Sequence, residues 1–277
     1  MPSLLIDARN VLYRAVYAGK HDTRHEVKYH NFVILLRQIV SWIRRYNPDS
    51  VHVFWDAPRK SVWRRKALKT YKDRSKNQYL DDIGEDLAIT TKIAGEFFKV
   101  MNVRQYSKKE MEADDLIYAA ASVMHPSPTV VVSTDSDMVQ IPFTFSSSVV
   151  FDPYKRKELD VPVINPVFCK ALTGDKSDLV DGYYGIGPKR GEALLSDKKA
   201  LADFLKLKGS SIFYRNLLLI DLSANPRLLA NRTYVLRRLC EDVEFSKDGI
   251  NSLINKYKVN GLLQEYSDLI PPFKKLI

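Results

Sequence analysis

The chain has 277 residues, of which 45% are hydrophobic, which is enough for one large domain or for one domain with a smaller helical addition. No apolar run approaches the roughly 18 residues that a membrane span needs, and the N-terminus lacks the pattern of a signal peptide. Only two cysteines occur, without metal-site spacing, so we expect a cytoplasmic protein. The net charge of +10 favours a polyanionic partner such as nucleic acid, although a basic protein without that role remains an alternative.

Four short β-rich runs in the first half of the chain indicate strands. They are Ser3–Ile6, Val51–Trp55, Thr129–Val132 and Ser148–Phe151. Amphipathic stretches lie between them at Phe32–Tyr46, Asp81–Met101 and Met111–Met124. Strands that alternate with helices predict an α/β fold with a mainly parallel sheet flanked by helices. We expect this body to span residues 1–160, and the helical patterns that follow predict a helical region at 161–277.

Carboxylates follow the predicted strands and form two further clusters. Asp7 and Asp56 close the first two strands, and Asp135 and Asp137 follow the third. Ligands of open α/β sheets bind beyond the carboxyl ends of the strands, so these acids are predicted to meet. With the other two clusters the set has nine members: Asp7, Asp56, Glu112, Asp114, Asp115, Asp135, Asp137, Asp175 and Asp178. Any one of them taken alone could be a helix cap or an acid at a helix N-terminus.

Nine carboxylates in one pocket would repel each other unless cations were bound between them. Oxygen ligands without accompanying histidines favour Mg²⁺, with Mn²⁺ as a substitute, over zinc. Two such ions can activate water and stabilise the leaving oxygen of a phosphodiester. The acids therefore predict a two-metal phosphodiesterase.

A basic segment follows Asp56 directly. Its bases are Arg59, Lys60, Arg64, Arg65, Lys66, Lys69, Lys72, Arg74 and Lys76, and Trp63 and Tyr71 lie among them. Aromatic rings among bases are typical of a groove for single-stranded nucleic acid, whereas a solvated basic loop is the alternative. We expect DNA contacts from Arg59, Lys60, Arg64, Arg65, Lys69 and Tyr71. Lys72 or Arg74 could reach the scissile phosphate and offset its charge.

A glycine turn precedes a helical segment in the second half of the chain. Gly185 and Gly187 allow a tight turn that exposes backbone N–H groups near a helix start, and Lys189 and Arg190 add charge there. A turn between two helices with no ligand is the alternative. The added bases favour a grip on the backbone of duplex DNA that does not depend on sequence.

The order of these motifs resembles the flap endonuclease/5′-3′ exonuclease family, and most closely the stand-alone bacteriophage 5′ nucleases. The motifs are Asp7, Asp56, Tyr71-Lys72, Glu112-Ala-Asp-Asp115, Ser133-Thr-Asp-Ser-Asp137, Gly174-Asp-Lys-Ser-Asp178 and Gly185-Ile-Gly-Pro-Lys-Arg-Gly191. The resemblance implies a PIN-like domain, a helical arch at about 57–80, and a helix-turn-helix for duplex DNA at about 174–198. It also implies that Asp7, Asp56, Glu112 and Asp114 surround one metal ion while the other five acids complete a second site.

The same resemblance implies that Lys72 contacts the scissile phosphate and that K⁺ can bind at the glycine turn. The family places an arginine three residues after that lysine, but Ser75 occupies the position here, so we assign the role to Arg74 or to Lys76. The implied substrates are flaps, pseudo-Y structures and nicked duplexes. We expect a monomer that acts in replication and repair in the cytoplasm of a bacterial or phage-infected cell.

Two other functions remain compatible with these residues. A PIN-type ribonuclease acting on structured RNA would share the carboxylate pocket, but it usually lacks the glycine turn and the long helical region. A catalytically inactive protein that binds branched DNA would be expected to have lost some of the acids, and none of the nine is missing.

Overall fold

A six-stranded sheet forms the centre of the protein in this computed structural model, which describes residues 1–20, 29–73 and 83–276. Its strands are β1 (Ser3–Asp7), β2 (Ser50–Trp55), β3 (Val103–Ser107), β4 (Thr129–Val132), β5 (Ser148–Asp152) and β6 (Lys157–Glu158). They lie in the order β3-β2-β1-β4-β5-β6, and only β6 runs antiparallel to its neighbour. The predicted mainly parallel sheet is confirmed.

The strand β1 lies in the interior of the sheet, and its apolar residues are buried on both faces. Leu4 and Ile6 point into one core cluster and Leu5 into the other, as the two-residue period of a strand requires. The chain adds β2 and β3 on one side of β1, and then β4 and β5 on the other. The carboxyl ends of β1 and β4 therefore flank the point where the strand order reverses, which is where open α/β sheets bind ligands.

Helices cover both faces of this sheet. Among the described residues, those of the first half are α1 (Ala8–Lys20), α2 (His30–Tyr46), α3 (Trp63–Ala67), α4 (Gly84–Phe98), α5 (Ala113–Met124) and α6 (Gln140–Thr144). Short 3₁₀ helices occur at Arg59–Ser61 and Ser136–Val139. On one face, Phe32 of α2 packs against Phe97 of α4 with ring centroids 4.6 Å apart. The other face is covered by α5, whose residues from Leu116 to Ala121 are all buried.

The second half is mostly helical, as the sequence predicts. Its helices are α7 (Pro166–Thr173), α8 (Pro188–Ser196), α9 (Lys198–Lys208), α10 (Ser211–Ile220), α11 (Leu228–Leu239), α12 (Lys247–Tyr257), α13 (Asn260–Gln264), α14 (Tyr266–Leu269) and α15 (Pro271–Lys274). Two short strands, β7 (Gly174–Asp175) and β8 (Val180–Asp181), pair as a hairpin. None of the helices within the three described ranges combines the length and the apolarity that crossing a bilayer requires.

The last helices return to the α/β body. Ile250 of α12 and Phe273 of α15 are fully buried in the same core cluster as α2 and α4. The helix α11 packs on α5, and its Val235 is fully buried there. The two halves of the chain thus share hydrophobic cores, while the predicted division at residue 160 stays a prediction about domain organisation.

The edge strand β3 was not predicted. Its sequence carries Arg104 and Gln105 in the middle and has no apolar run. Its outer backbone groups are paired by side chains of α11: the Tyr234 hydroxyl donates to the Ser107 carbonyl oxygen at 2.8 Å, and Arg238 Nη2 donates to the Gln105 carbonyl oxygen at 2.8 Å. The strand is therefore stabilised by residues that are distant in sequence.

Candidate active site

The carboxyl ends of the strands and the start of α5 surround one cavity of about 500 Å³. Asp7 is the last residue of β1, and Asp56 follows β2 directly. Glu112 is the N-cap of α5, and Asp135 is the N-cap of the 3₁₀ helix after β4. Six of the nine predicted acids line the cavity, namely Asp7, Asp56, Glu112, Asp114, Asp135 and Asp178.

Neutral donors orient the acids at the strand ends. The Ser133 hydroxyl donates to Asp7 Oδ2 at 2.9 Å, and the Asn10 backbone N–H donates to Asp7 Oδ1 at 3.2 Å. The Ala113 backbone N–H, in the first turn of α5, donates to Asp56 Oδ1 at 2.8 Å. These contacts fix the positions of the carboxyl groups without neutralising their charge.

Burial disfavours the ionised form of these carboxyl groups. Burial and the neighbouring Asp56 raise the pKa of Asp7 to about 7. Burial likewise raises the pKa of Asp56, where Glu112 adds to the effect, and it raises the pKa of Asp114. A divalent cation would replace those protons, because it stabilises the ionised form of every carboxylate that it contacts.

Lys72 lies at the wall of the cavity and is paired with its acids, while its contact with a scissile phosphate stays a prediction. Its Nζ donates to Glu112 Oε1 at 2.8 Å and lies 3.5 Å from Asp178 Oδ2. Its backbone N–H donates to the Asp178 carbonyl oxygen at 3.0 Å, which holds Lys72 in a left-handed conformation with φ of 49°. Burial opposes the ionised form of Glu112, but Lys72 and Arg64 outweigh it and lower the pKa of Glu112.

Arg64 and Tyr71 were predicted to contact DNA, but the structure places both side chains in the interior, and their contact with DNA stays a prediction. Arg64 is 1% exposed, and its guanidinium donates to Glu112 Oε2 at 2.8 Å and to Asp115 Oδ1 at 2.8 Å. Tyr71 is 2% exposed, and its hydroxyl donates to Asp178 Oδ2 at 2.9 Å. Both side chains contact buried carboxylates: the Arg64 guanidinium offsets their charge, and the neutral Tyr71 hydroxyl donates a hydrogen bond.

Asp115 is the acid most fully engaged by the protein. It accepts hydrogen bonds from Arg64, from Trp63 Nε1 at 3.1 Å and from Asn225 Nδ2 at 2.7 Å. It does not line the cavity, although its ligand atom lies within 4.8 Å of those of Glu112 and Asp114. Its role as a metal ligand stays a prediction.

Asp137 and Asp175 do not line the cavity and are here called the outer acids. Both are hydrogen-bonded to Lys170, a residue that the sequence did not single out. Lys170, on α7, donates from Nζ to Asp175 Oδ2 at 2.6 Å and also to Asp137 Oδ1. Burial and the nearby Asp135 raise the pKa of Asp137 to about 6. Burial opposes ionisation of Asp175, but hydrogen bonds from Lys170 and Ser177 outweigh it and lower the pKa of Asp175.

Close backbone packing holds the turn that carries Asp175 and Asp178. A Cβ on Gly182 would lie 2.2 Å from the Thr173 carbonyl carbon, so no side chain fits there. Gly174, which pairs with Asp181 across the hairpin, has a φ of 79° that favours glycine.

Three residues of α1 line the cavity and were also missed. Arg9, Asn10 and Tyr13 follow Asp7 in the first turns of the helix. The Arg9 guanidinium carbon lies 5.7 Å from the centre of the Tyr13 ring. The available signal was their position directly after an aspartate at the end of a strand, where a following helix faces the same cavity.

The remaining predicted DNA contacts lie at the surface or outside the described residues. Arg59 lines the cavity, Lys60 and Lys69 are exposed, and Arg65 pairs with Asp73 at 3.4 Å. Exposed residues at the start of α8 include Gly185, Gly187, Lys189 and Arg190. Arg74, Ser75 and Lys76, on which the second basic role in the arch depended, fall outside the described residues.

Comparison with known proteins identifies the family. The family model of the 5′-3′ exonuclease N-terminal resolvase-like domain matches residues 2–161. The chain belongs to this 5′-3′ exonuclease family.

Two relatives and one solved structure illustrate the similarity. A 5′-3′ exonuclease of Halalkalibacterium halodurans is 29% identical over 206 residues, which is 67% of this chain and 66% of that protein. DNA polymerase I of Bacillus caldotenax is 27% identical over 233 residues, which is 76% of this chain but only 25% of the polymerase. The bacteriophage T5 D15 flap endonuclease, solved as a pseudo-enzyme-product complex with DNA and metal ions, superposes with a TM-score of 0.69. It is 19% identical, and the match covers 93% of this chain and 100% of that one, so it shows the same fold.

Proposed function

We propose that this protein is a structure-specific 5′ nuclease with 5′-3′ exonuclease and flap endonuclease activity. It hydrolyses DNA phosphodiesters near junctions of single-stranded and duplex DNA and leaves a 5′-phosphate and a 3′-hydroxyl. The proposal rests on one observation: acids from β1, β2, β4 and α5 line a single cavity beside Lys72, in a chain of the 5′-3′ exonuclease family.

The donor set of the cavity fits hard divalent cations. The cavity offers carboxylate oxygens, and the acids with raised pKa values would gain from a bound cation. Asp7, Asp56, Glu112 and Asp114 would hold one Mg²⁺, and Asp115, Asp135, Asp137, Asp175 and Asp178 would complete the site for a second, with Mn²⁺ able to substitute. Such a pair of ions lowers the pKa of a bound water and stabilises the leaving oxygen.

The protein's own cations would position the substrate. Lys72 lies within the cavity and can exchange its contact with Glu112 for the scissile phosphate as the acids take up metal. Lys189 and Arg190 are exposed at the start of α8, where they would hold the phosphates of the duplex. The glycine turn before them is the proposed K⁺ site. The proposed arch at 57–80, of which residues 74–80 lie outside the described residues, would admit the 5′ single strand.

Flaps, pseudo-Y structures and nicked duplexes are the proposed substrates, and the protein would act as a cytoplasmic monomer in replication and repair. The similarity to a DNA polymerase I supports that setting.

Asp135→Asn tests this function directly. Asp135 lines the cavity, so we expect the substitution to abolish cleavage of a labelled 5′ flap while leaving DNA affinity within threefold of wild type. Asp160→Asn is the matched control, because that side chain is 97% exposed. Wild-type turnover by Asp135→Asn would refute the proposal.

Two further measurements distinguish the alternative functions. Preferential cleavage of a matched RNA flap favours the ribonuclease. Binding of the DNA flap without product at any Mg²⁺ concentration favours the inactive DNA-binding protein.

A further inference from the structure

Lys170 connects two acids of the proposed outer metal site. Its Nζ donates to Asp175 Oδ2 at 2.6 Å, to Asp137 Oδ1 and to Ser136 Oγ at 3.2 Å. The side chain is 26% exposed, so this ammonium group is mostly withdrawn from water. All three hydrogens of the ammonium group have acceptors in this arrangement.

The surroundings of Lys170 hold the ammonium group in place. The next two residues of α7, Ala171 and Leu172, are fully buried, which fixes the helix that carries the lysine. On the acid side, Asp175 Oδ1 accepts from the Ser177 backbone N–H at 2.8 Å and from the Asp178 backbone N–H at 3.2 Å. Asp175 therefore uses one oxygen to hold its own turn and presents the other to Lys170.

Lys170 differs in its position from Lys72, which is also paired with acids of the site. Lys72 lines the cavity, where substrate would enter, whereas Lys170 does not and lies against the outer carboxylates. Lys170 therefore interacts with the acids and not with substrate. Its ammonium group occupies carboxylate oxygens that a cation at the outer site would need as ligands.

We propose that Lys170 is a built-in competitor for the outer cation. Without metal, its ammonium group holds Asp137 and Asp175 together. When an outer divalent ion binds, the lysine must give up at least one of these two charge-assisted hydrogen bonds. The outer site, to which Asp137 and Asp175 belong, therefore binds divalent ions much more weakly than the inner site of Asp7, Asp56, Glu112 and Asp114. The second ion binds only at higher metal concentration. This inference rests on the proposed function, because it assumes that the acids bind metal.

The test measures Mn²⁺ binding to the full chain without DNA, by the electron paramagnetic resonance signal of free Mn²⁺ and by calorimetry. We expect wild type to show a tight and a weak class of sites. Lys170→Met should tighten the weak class at least tenfold and leave the tight class within twofold. Lys170→Arg keeps the charge, so its weak class should stay within threefold of wild type. Lys176→Met is the control, because this exposed lysine adjoins Asp175 and its loss changes the net charge equally.

Each outcome decides the inference. A weak class that is unchanged or weaker in Lys170→Met overturns the role of Lys170 and leaves the proposed nuclease intact. Equal tightening in Lys176→Met shows a general charge effect and also overturns it. If none of the proteins binds Mn²⁺, the metal centre of the proposed function fails, and the inference fails with it. Far-UV circular dichroism confirms folding, and Lys170→Arg retains a cation for the two acids if Lys170→Met does not fold.

Discussion

The carboxyl group of Asp7 should make the metal-free protein less stable as pH rises. Burial and Asp56 raise its pKa from 3.8 to about 7. The unfolded chain releases this proton near pH 4, whereas the folded chain keeps it until about pH 7. The folded state binds more protons across this window, so the free energy of unfolding falls as pH rises from about 4 to about 7.

Asp7→Asn removes this dependence, and the size of the effect follows from the shift. At about 1.4 kcal/mol per pKa unit, the change from 3.8 to about 7 corresponds to roughly 4 kcal/mol. Because Asp7 and Asp56 titrate together, we expect the gain of the variant over wild type to be about 2–4 kcal/mol larger at pH 8 than at pH 4. For a domain of this size, that is roughly 4–8 °C in melting temperature.

The assay is urea unfolding with EDTA between pH 4 and pH 8, repeated with saturating Mg²⁺. With Mg²⁺ the advantage of the variant should shrink or reverse at pH 8, because the ion stabilises the ionised wild-type site and binds the variant more weakly. Asp160→Asn, with its exposed side chain, should follow wild type throughout. If the difference between Asp7→Asn and wild type in EDTA does not change with pH, Asp7 is not protonated in the folded protein and the reasoning is refuted.

Three further substitutions test the cavity, the network behind it and the surface of α8. Lys72→Met should slow single-turnover cleavage of a 5′ flap by about 100-fold or more, because it removes the charge that we propose contacts the scissile phosphate, and should leave DNA binding within threefold. Arg64→Met should lower the free energy of unfolding in urea by about 3–5 kcal/mol, because it leaves Asp115 buried without its cation. Lys189→Ala should weaken duplex binding and reduce the slope of log K against log salt concentration by about 1, as measured by fluorescence anisotropy.

Each of these has a matched control in the same chain. Lys92→Met, at an exposed site on α4, should leave cleavage within threefold, and normal cleavage by Lys72→Met would contradict its role. Arg65→Met should cost less than about 1 kcal/mol because its pair with Asp73 is partly exposed to water, and an equal loss would show that the burial of Arg64 is not the cause. Lys274→Ala lies on α15, away from α8, and a salt slope that changes equally there would remove the case for Lys189.

The strands β1 and β4 could be predicted because the apolar residues that form each of them are contiguous in the sequence. The runs in β1 and β4 are buried on both faces, so each appears in the sequence as an uninterrupted apolar stretch. An aspartate follows the stretch of β1 directly and that of β4 after two residues. The strand β3 could not be predicted in the same way. Its Arg104 and Gln105 are partly exposed at the edge of the sheet, and its outer partners Tyr234 and Arg238 lie more than 120 residues away.

The acids of the site could be predicted from the sequence, but their counter-charges could not. A run of bases that includes Arg64 has the composition of a solvated or DNA-binding segment, and composition does not show which base turns inward. Arg64 is buried in an ion pair with Asp115, which lies 51 positions away in the sequence. Lys170 pairs with Asp137 across 33 positions, and that contact depends on how α7 packs. Pairings of this kind exist only in the folded chain.

The pairing of β3 by α11 has a consequence for self-association. An unpaired edge strand offers a row of N–H and C=O groups to which a second molecule can add a strand, and such addition leads to aggregation. Here the side chains of Tyr234 and Arg238 donate hydrogen bonds to carbonyl oxygens of that edge. Resistance to edge-to-edge stacking should therefore depend on α11 staying attached, and partial detachment of that one helix would be the step that starts aggregation of an otherwise folded sheet.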